Sequence, residues 1–151
     1  MKKLITLAVA MGLAFGGMTA HADERTQQII ETRQGLLKLL GYYIGPIVGM
    51  ARQQVDYDAD LVAANAEKIA GLAPLIVDVF QHDTSASDIE SESLDGIWEN
   101  LDDFNGKAAT LAERASALAA ATAEGQGAAM KAFGGMGAAC KSCHDDYRLQ
   151  N

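Results

Sequence analysis

Cysteine is scarce: the 151-residue chain has two, and both fall in the stretch Cys140-Lys-Ser-Cys-His144. A structural zinc site needs four ligands. No second Cys/His cluster exists to complete one, because His82 stands alone and His21 sits near the N-terminus. Positive charge is short as well. Twelve Lys+Arg against twenty Asp+Glu give −8, and a chain of that sign repels phosphate backbones, which argues against nucleic acid as a partner. Alternating β-branched runs are missing, so nothing suggests a sheet. Long apolar runs are missing too. Residues 4–18 and 39–51 are the longest, and both fall short of the roughly 20 residues that span a bilayer, so no membrane insertion is expected.

What is present begins with a leader. In residues 1–22, MKKLITLAVAMGLAFGGMTAHA, two lysines precede an apolar run and Ala20-His21-Ala22 forms an A-x-A site. This is the pattern of a cleaved secretory signal, and it places the mature chain, 23–151, in the bacterial periplasm. The leader carries two lysines and no acid, so its loss takes the net charge from −8 to −10. The remainder is long enough for one domain with one core.

Four apolar-periodic segments follow. The first, about 24–52, repeats Ile30, Arg33, Leu37, Leu40, Ile44 and Val48 at three- and four-residue steps, with Leu36, Leu40, Tyr43 and Ile47 alongside. Asp58 is an expected N-cap for a second helix through Leu61, Ile69, Leu72, Ile76 and Phe80, which Pro74 should kink or divide. Residues 81–93 are polar and aperiodic, the one substantial loop. Ser91 or Ser93 is the expected cap of a third helix, with Leu94, Ile97, Trp98, Leu101, Phe104, Ala108 and Leu111 inward, running until Gly125 stops it. A fourth covers about 126–148. The spacing predicts an all-α, antiparallel four-helix bundle. Gly41, Gly45 and Gly49 form a small-residue row on the first helix, a packing surface either within the bundle or between two copies, and Pro46 inside it is expected to bend the helix.

The CKSCH turn is where chemistry concentrates. A redox C-x-x-C normally opens a helix after a strand, whereas this pair lies well inside a helical segment. A plain disulfide closing so short a loop stabilises little and leaves the histidine unexplained. C-x-x-C-H is also the attachment signature of c-type haem. Cys140 and Cys143 at i and i+3 face one side of a helix, where their sulfurs can add to two vinyl groups. His144, one turn beyond Cys140, can direct an imidazole nitrogen at the iron. Export fits, because thioethers consume thiols that an oxidising compartment would otherwise attack. Three glycines in Phe133-Gly-Gly-Met-Gly137 either admit a flat macrocycle or a neighbouring helix close to the backbone or mark a frayed segment.

With these residues in view, the chain resembles cytochrome c′, the class II c-type cytochromes. The likeness is carried by ETRQGLLKLLG, DYDADLVAANAEKIAGLA, IWENLDDF and AFGGMGAACKSCHDDYR, spanning nearly all of 23–151. The resemblance implies one covalent haem c through Cys140 and Cys143, with His144 as the proximal iron ligand. It also implies high-spin, five-coordinate iron and a homodimer packed through the first helices. By position, Arg33 and Gln34 resemble contacts to the haem propionates, and for Arg33 the alternative is a solvated helix charge. Leu37 falls where the family places its distal residue. Arg148 resembles a proximal arginine and can otherwise simply favour a helix C-terminus. Asp95 stands next to the slot where relatives carry an acid near the haem edge, a slot that reads Asp-Gly here.

Function turns on the sixth iron position. A leucine cannot ligate, and Met50, 13 residues beyond Leu37, is roughly 20 Å further along the helix. Met130 and Met136 are expected as core filler, and His82 as a solvated loop residue rather than a ligand. An apolar distal side offers no donor to bound dioxygen and no base for peroxide, so a peroxidase is disfavoured and no enzymatic activity is expected. NO and CO are the ligands that suit it, with protection against NO as the role that the resemblance suggests. The competing expectation is an electron carrier serving a redox partner protein.

Overall fold

The structure is a computed structural model that describes the backbone of residues 6–150 and the side chains of residues 23–150. The leader expected at 1–22 thus lies outside the residues whose side chains are described. Helix α1 spans Thr6–Ala51, α2 Ala59–Leu72, α3 Leu75–Val79, α4 Gly96–Glu99, α5 Leu101–Ala121 and α6 Gln126–Tyr147. There is no strand among the described residues, and the four long helices form the bundle.

Local chemistry accounts for most of the boundaries. The Asp58 carboxylate accepts the Leu61 N–H at 3.0 Å and opens α2. Pro74 separates α2 from α3, dividing the second segment as its missing N–H requires. Gly125, at φ 98°, adopts the left-handed conformation that ends the third segment and starts α6. Pro46 sits inside an unbroken α1. Nearby, the Asn65 amide, 4% exposed, donates to the Tyr43 carbonyl at 3.1 Å and ties α2 to α1.

The serine cap expected for the third helix is not found. Ser91 Oγ accepts the Ser93 N–H at 3.2 Å in a local turn, and Ser93 pairs with Arg148 in an isolated antiparallel bridge. The Leu94 N–H reaches the Tyr147 carbonyl at 3.0 Å, and the Leu149 N–H reaches that of Glu92 at 2.8 Å. Backbone groups that a helix start would have used are thus taken by the C-terminal segment. The helix begins later, as the short α4, and breaks at Asn100 before α5. Leu94, expected inward, is partly exposed.

The core is built along α2 and α5. Val62, Ala66 and Ile69 recur at three- and four-residue steps on α2, continued by Ala73 at its C-cap, and Phe104, Ala108, Leu111, Ala115 and Leu118 on α5. Alanines at 66, 73, 108 and 115 let the two helices approach closely. Leu40, Ile47 and Met50 of α1 cover one flank, and Ala129, Met136 and Tyr147 of α6 the other. Packing therefore runs from α1 to α2 to α5 to α6. The first and last helices make few close backbone approaches to each other, although both contribute to the same buried cluster.

Both glycine rows look outward. A Cβ at Gly41 or Gly45 would meet nothing within 4 Å in this chain, while one at Gly49 would reach only Val55, at 3.5 Å. Close approach within the bundle therefore does not explain the α1 row. In α6 the helix runs unbroken through Gly134, Gly135 and Gly137, so this segment is not frayed. The nearest contact to a Cβ there is Arg114 Cδ, 3.9 Å from position 135.

Candidate haem-attachment site

Cys140 and Cys143 lie near the end of α6, both half-buried against the core and both unpaired. Burial raises both thiols above their ordinary pKa, that of Cys143 to about 11. They are therefore protonated at neutral pH. His144 follows on an exposed part of the helix. Partial desolvation of its ring, and then the Arg148 charge, lower its pKa, outweighing the opposite pull of Asp145 and Glu92. The lowered pKa favours the neutral imidazole, the form able to donate a nitrogen lone pair to iron.

An aromatic line joins this turn to α1. Tyr147, one turn after Cys143, packs edge-on against Phe104 with ring centroids 5.3 Å apart. Phe104 meets Phe80 at 4.9 Å, and Phe80 meets Trp98 at 6.4 Å. The Trp98 indole N–H is held by the Phe80 carbonyl at 3.1 Å. The Arg33 guanidinium lies 4.7 Å from the Phe80 centroid and 5.2 Å from that of Trp98. Residues 114 apart in sequence thus belong to one end of the bundle.

Arg33 is only 2% exposed, which rules out a solvated helix charge. Its Nε donates to the Val79 carbonyl at 2.7 Å, one Nη to Thr84 Oγ1 at 2.6 Å and the other Nη to the His82 carbonyl. Burial lowers its pKa and the Asp83 charge opposes this. No ion pair among the described residues includes it. A guanidinium has five donors, so this buried cation has three neutral acceptors and two further N–H groups, with no carboxylate paired to it. Buried charge is costly without a counter-charge.

The other expected residues are more dispersed. Leu37, one turn after Arg33, is 41% exposed, unlike Leu40 at 5%. Gln34 is exposed on α1, and so is Asp95, which precedes α4 without a side-chain capping bond. Arg148 has left the helix with extended backbone, and its Nε and one Nη each lie 2.8 Å from Glu92 Oε2. His82 is an exposed loop residue whose carbonyl serves Arg33.

The sequence reading overlooked a polar cluster between α5 and α6. Lys107 Nζ lies 2.9 Å from Ser142 Oγ, 2.9 Å from Asp146 Oδ2 and 3.6 Å from Asp103 Oδ2. Tyr147 donates its hydroxyl to Asp103 Oδ2 at 2.6 Å, and that bond, with burial, raises the phenol to about pKa 12. The Asp103/Lys107 spacing of four was the available signal, but such a pair usually marks a solvated face.

These residues fit a covalently held haem. Two free thiols share one side of a helix, an imidazole with a lowered pKa follows directly, and a buried guanidinium with N–H groups to spare suits a carboxylate-bearing group.

The comparisons agree. The family model described as cytochrome C′ matches residues 28–148. Cytochrome c-554 of Cereibacter sphaeroides is 32% identical, covering 100% of both chains. A cytochrome c′ structure from Rhodobacter spheriodes superposes with a TM-score of 0.76 at 32% identity, covering 83% of this chain and 98% of its own. A cytochrome c′ described as having ligand-controlled dimer dissociation gives 0.72 at 31% identity, covering 83% and 97%. A nitric oxide complex of a mutant cytochrome c′ from Alcaligenes xylosoxidans gives 0.71 at 28%, again covering 83% and 97%.

Proposed function

This chain belongs to the cytochrome c′ family and carries covalent haem c, and on that premise we propose that it is a periplasmic, non-enzymatic haem protein that binds NO and CO and protects against nitric oxide. The bound haem supplies an iron whose open axial position takes a diatomic ligand. The observation that carries the reading is the placing of Leu37 and the methionines. Leu37 offers only hydrocarbon, whereas Met50 and Met136 are sealed in the core at 5% and 0% exposure and Met130 packs against it. No thioether among the described residues is free to act as a sixth ligand, which supports high-spin, five-coordinate iron.

The other side chains divide the work. Cys140 and Cys143 tether the group and His144 ligates the metal. Arg33 keeps residues 79–84 in place through its three bonds and offers its remaining N–H groups to a propionate, with Gln34 beside it. Leu37 excludes water and gives bound dioxygen no donor. Arg148, tied to Glu92, guards the His144 side, and Asp95 is the nearest acid before Trp98. The exposed α1 face of Gly41, Gly45 and Tyr42, the last 73% exposed, suits a homodimer, in keeping with the relative whose dimer dissociates under ligand control. No helix among the described residues is long and apolar enough to cross a membrane.

Absorption and EPR spectra of the purified protein test this. The expected result is high-spin ferric iron that, once reduced, takes up NO and CO. A native low-spin, six-coordinate spectrum would instead favour an electron carrier serving a redox partner.

A further inference from the structure

Lys107 is unlike the other lysine of the attachment region. Its side chain is 19% exposed, against 75% for Lys141, which pairs locally with Asp145. An ammonium has three donors, and here three acceptors surround it: Ser142, Asp146 and Asp103. Two of these lie on α6. Ser142 stands between the two cysteines, and Asp146 is one turn on, along the same flank. The third, Asp103, holds Tyr147, which is one turn beyond Cys143. The cluster therefore grips α6 on both sides of His144.

The rest of the α5/α6 contact is apolar, including Phe104 edge-on to Tyr147 and the buried Met136. Ala108, Ala115 and Ala129 are small, and Met136 is flexible. Apolar burial is non-directional, whereas hydrogen bonds are directional. A functional site needs its groups held to within about 10–20°.

We propose that Lys107 is the positioning residue of the haem-attachment turn: its bonds to Ser142 and Asp146, with Asp103 beside it on α5 holding Tyr147, fix the rotation of α6, and hence the side to which Cys140, Cys143 and His144 point, while its charge offsets two carboxylates beside that turn. This goes beyond the ligand-binding reading and rests only on haem attachment at the two cysteines. With Lys107 present the three charged groups sum to −1, and without it to −2. The more negative setting favours ferric over ferrous iron.

The test uses the holoprotein with Lys107→Met and Lys107→Arg, reading the midpoint potential, the ferric EPR spectrum and the melting temperature. Lys107→Met should shift the midpoint to more negative values and change the EPR line shape, because the imidazole orientation relaxes. Lys107→Arg keeps the charge and should restore the potential. A Lys107→Met protein that melts earlier but keeps the wild-type potential and EPR spectrum overturns the proposal, leaving a structural clasp. If Lys107→Met yields no holoprotein, Asp146→Asn at a carboxylate with 55% side-chain exposure decides. It should move the midpoint to more positive values, and an unmoved midpoint overturns the proposal.

Discussion

The α2/α5 interior and the exposed face of α1 are made from similar residues but do different things. Ile69 and Leu118 are fully buried, in a layer where alanines bring the backbones together, whereas Leu37 is 41% exposed on α1. An aliphatic side chain enclosed on all sides is worth several kcal/mol, and one left 41% exposed on a helix surface is worth far less. What separates them is how many neighbours close over the site, not hydrophobicity itself.

The comparison can be broken in several ways. The largest effect is expected from replacing Cys140 and Cys143 together with alanine. Haem retained after denaturing extraction should fall to nothing, read as loss of the added mass and of the colour of the unfolded chain. Next comes a matched pair. Ile69→Ala should cost about 2–5 kcal/mol in urea unfolding. Leu37→Ala should cost about 1 kcal/mol or less yet speed CO and NO entry in stopped-flow mixing. Equal stability losses, or unchanged entry rates, would erase the distinction between interior and surface. Arg33→Ala should cost about 2–3 kcal/mol by leaving the Val79 and His82 carbonyls unpartnered. Arg33→Lys should recover less than half, because an ammonium cannot reproduce the fork.

The smallest effect is a pH dependence at Tyr147. Its phenol rises from 10 to about 12 because Asp103 accepts its proton-bearing bond and burial disfavours the anion. A raised folded-state pKa gives stability that is fully present below pH 10 and lost as pH climbs through about 12. The margin of wild type over Tyr147→Phe in unfolding titrations should therefore be flat to pH 10 and shrink above it. A margin that grows with pH would contradict the Asp103 bond.

Much of this was legible beforehand, and the misses have a common cause. The Asp58 cap, the Pro74 division, the Gly125 stop and the α6 span all follow from contacts within a few residues. So does the shared face of Cys140 and Cys143, because an i, i+3 spacing dictates it on any helix. Ser91 and Ser93 misled because their real competitors, the backbone groups of residues 147–149, lie some 55 positions away. Arg33 was legible as a candidate but not its acceptors at 79, 82 and 84. Leu37 and Leu40 looked equivalent in the periodic pattern.

The four helical segments, the breaks at Pro74 and Gly125 and the chemistry of the CKSCH turn were thus readable from residue order alone, since periodicity, capping and ligand spacing are local and survive any docking of the elements. The folded arrangement was needed to show that Arg33 is buried against the carbonyls of Val79 and His82, and that Lys107 lies against Ser142 and Asp146 of α6. Those depend on groups brought together by the packing of whole helices, and a helical repeat specifies which face is apolar without specifying what comes to lie against it.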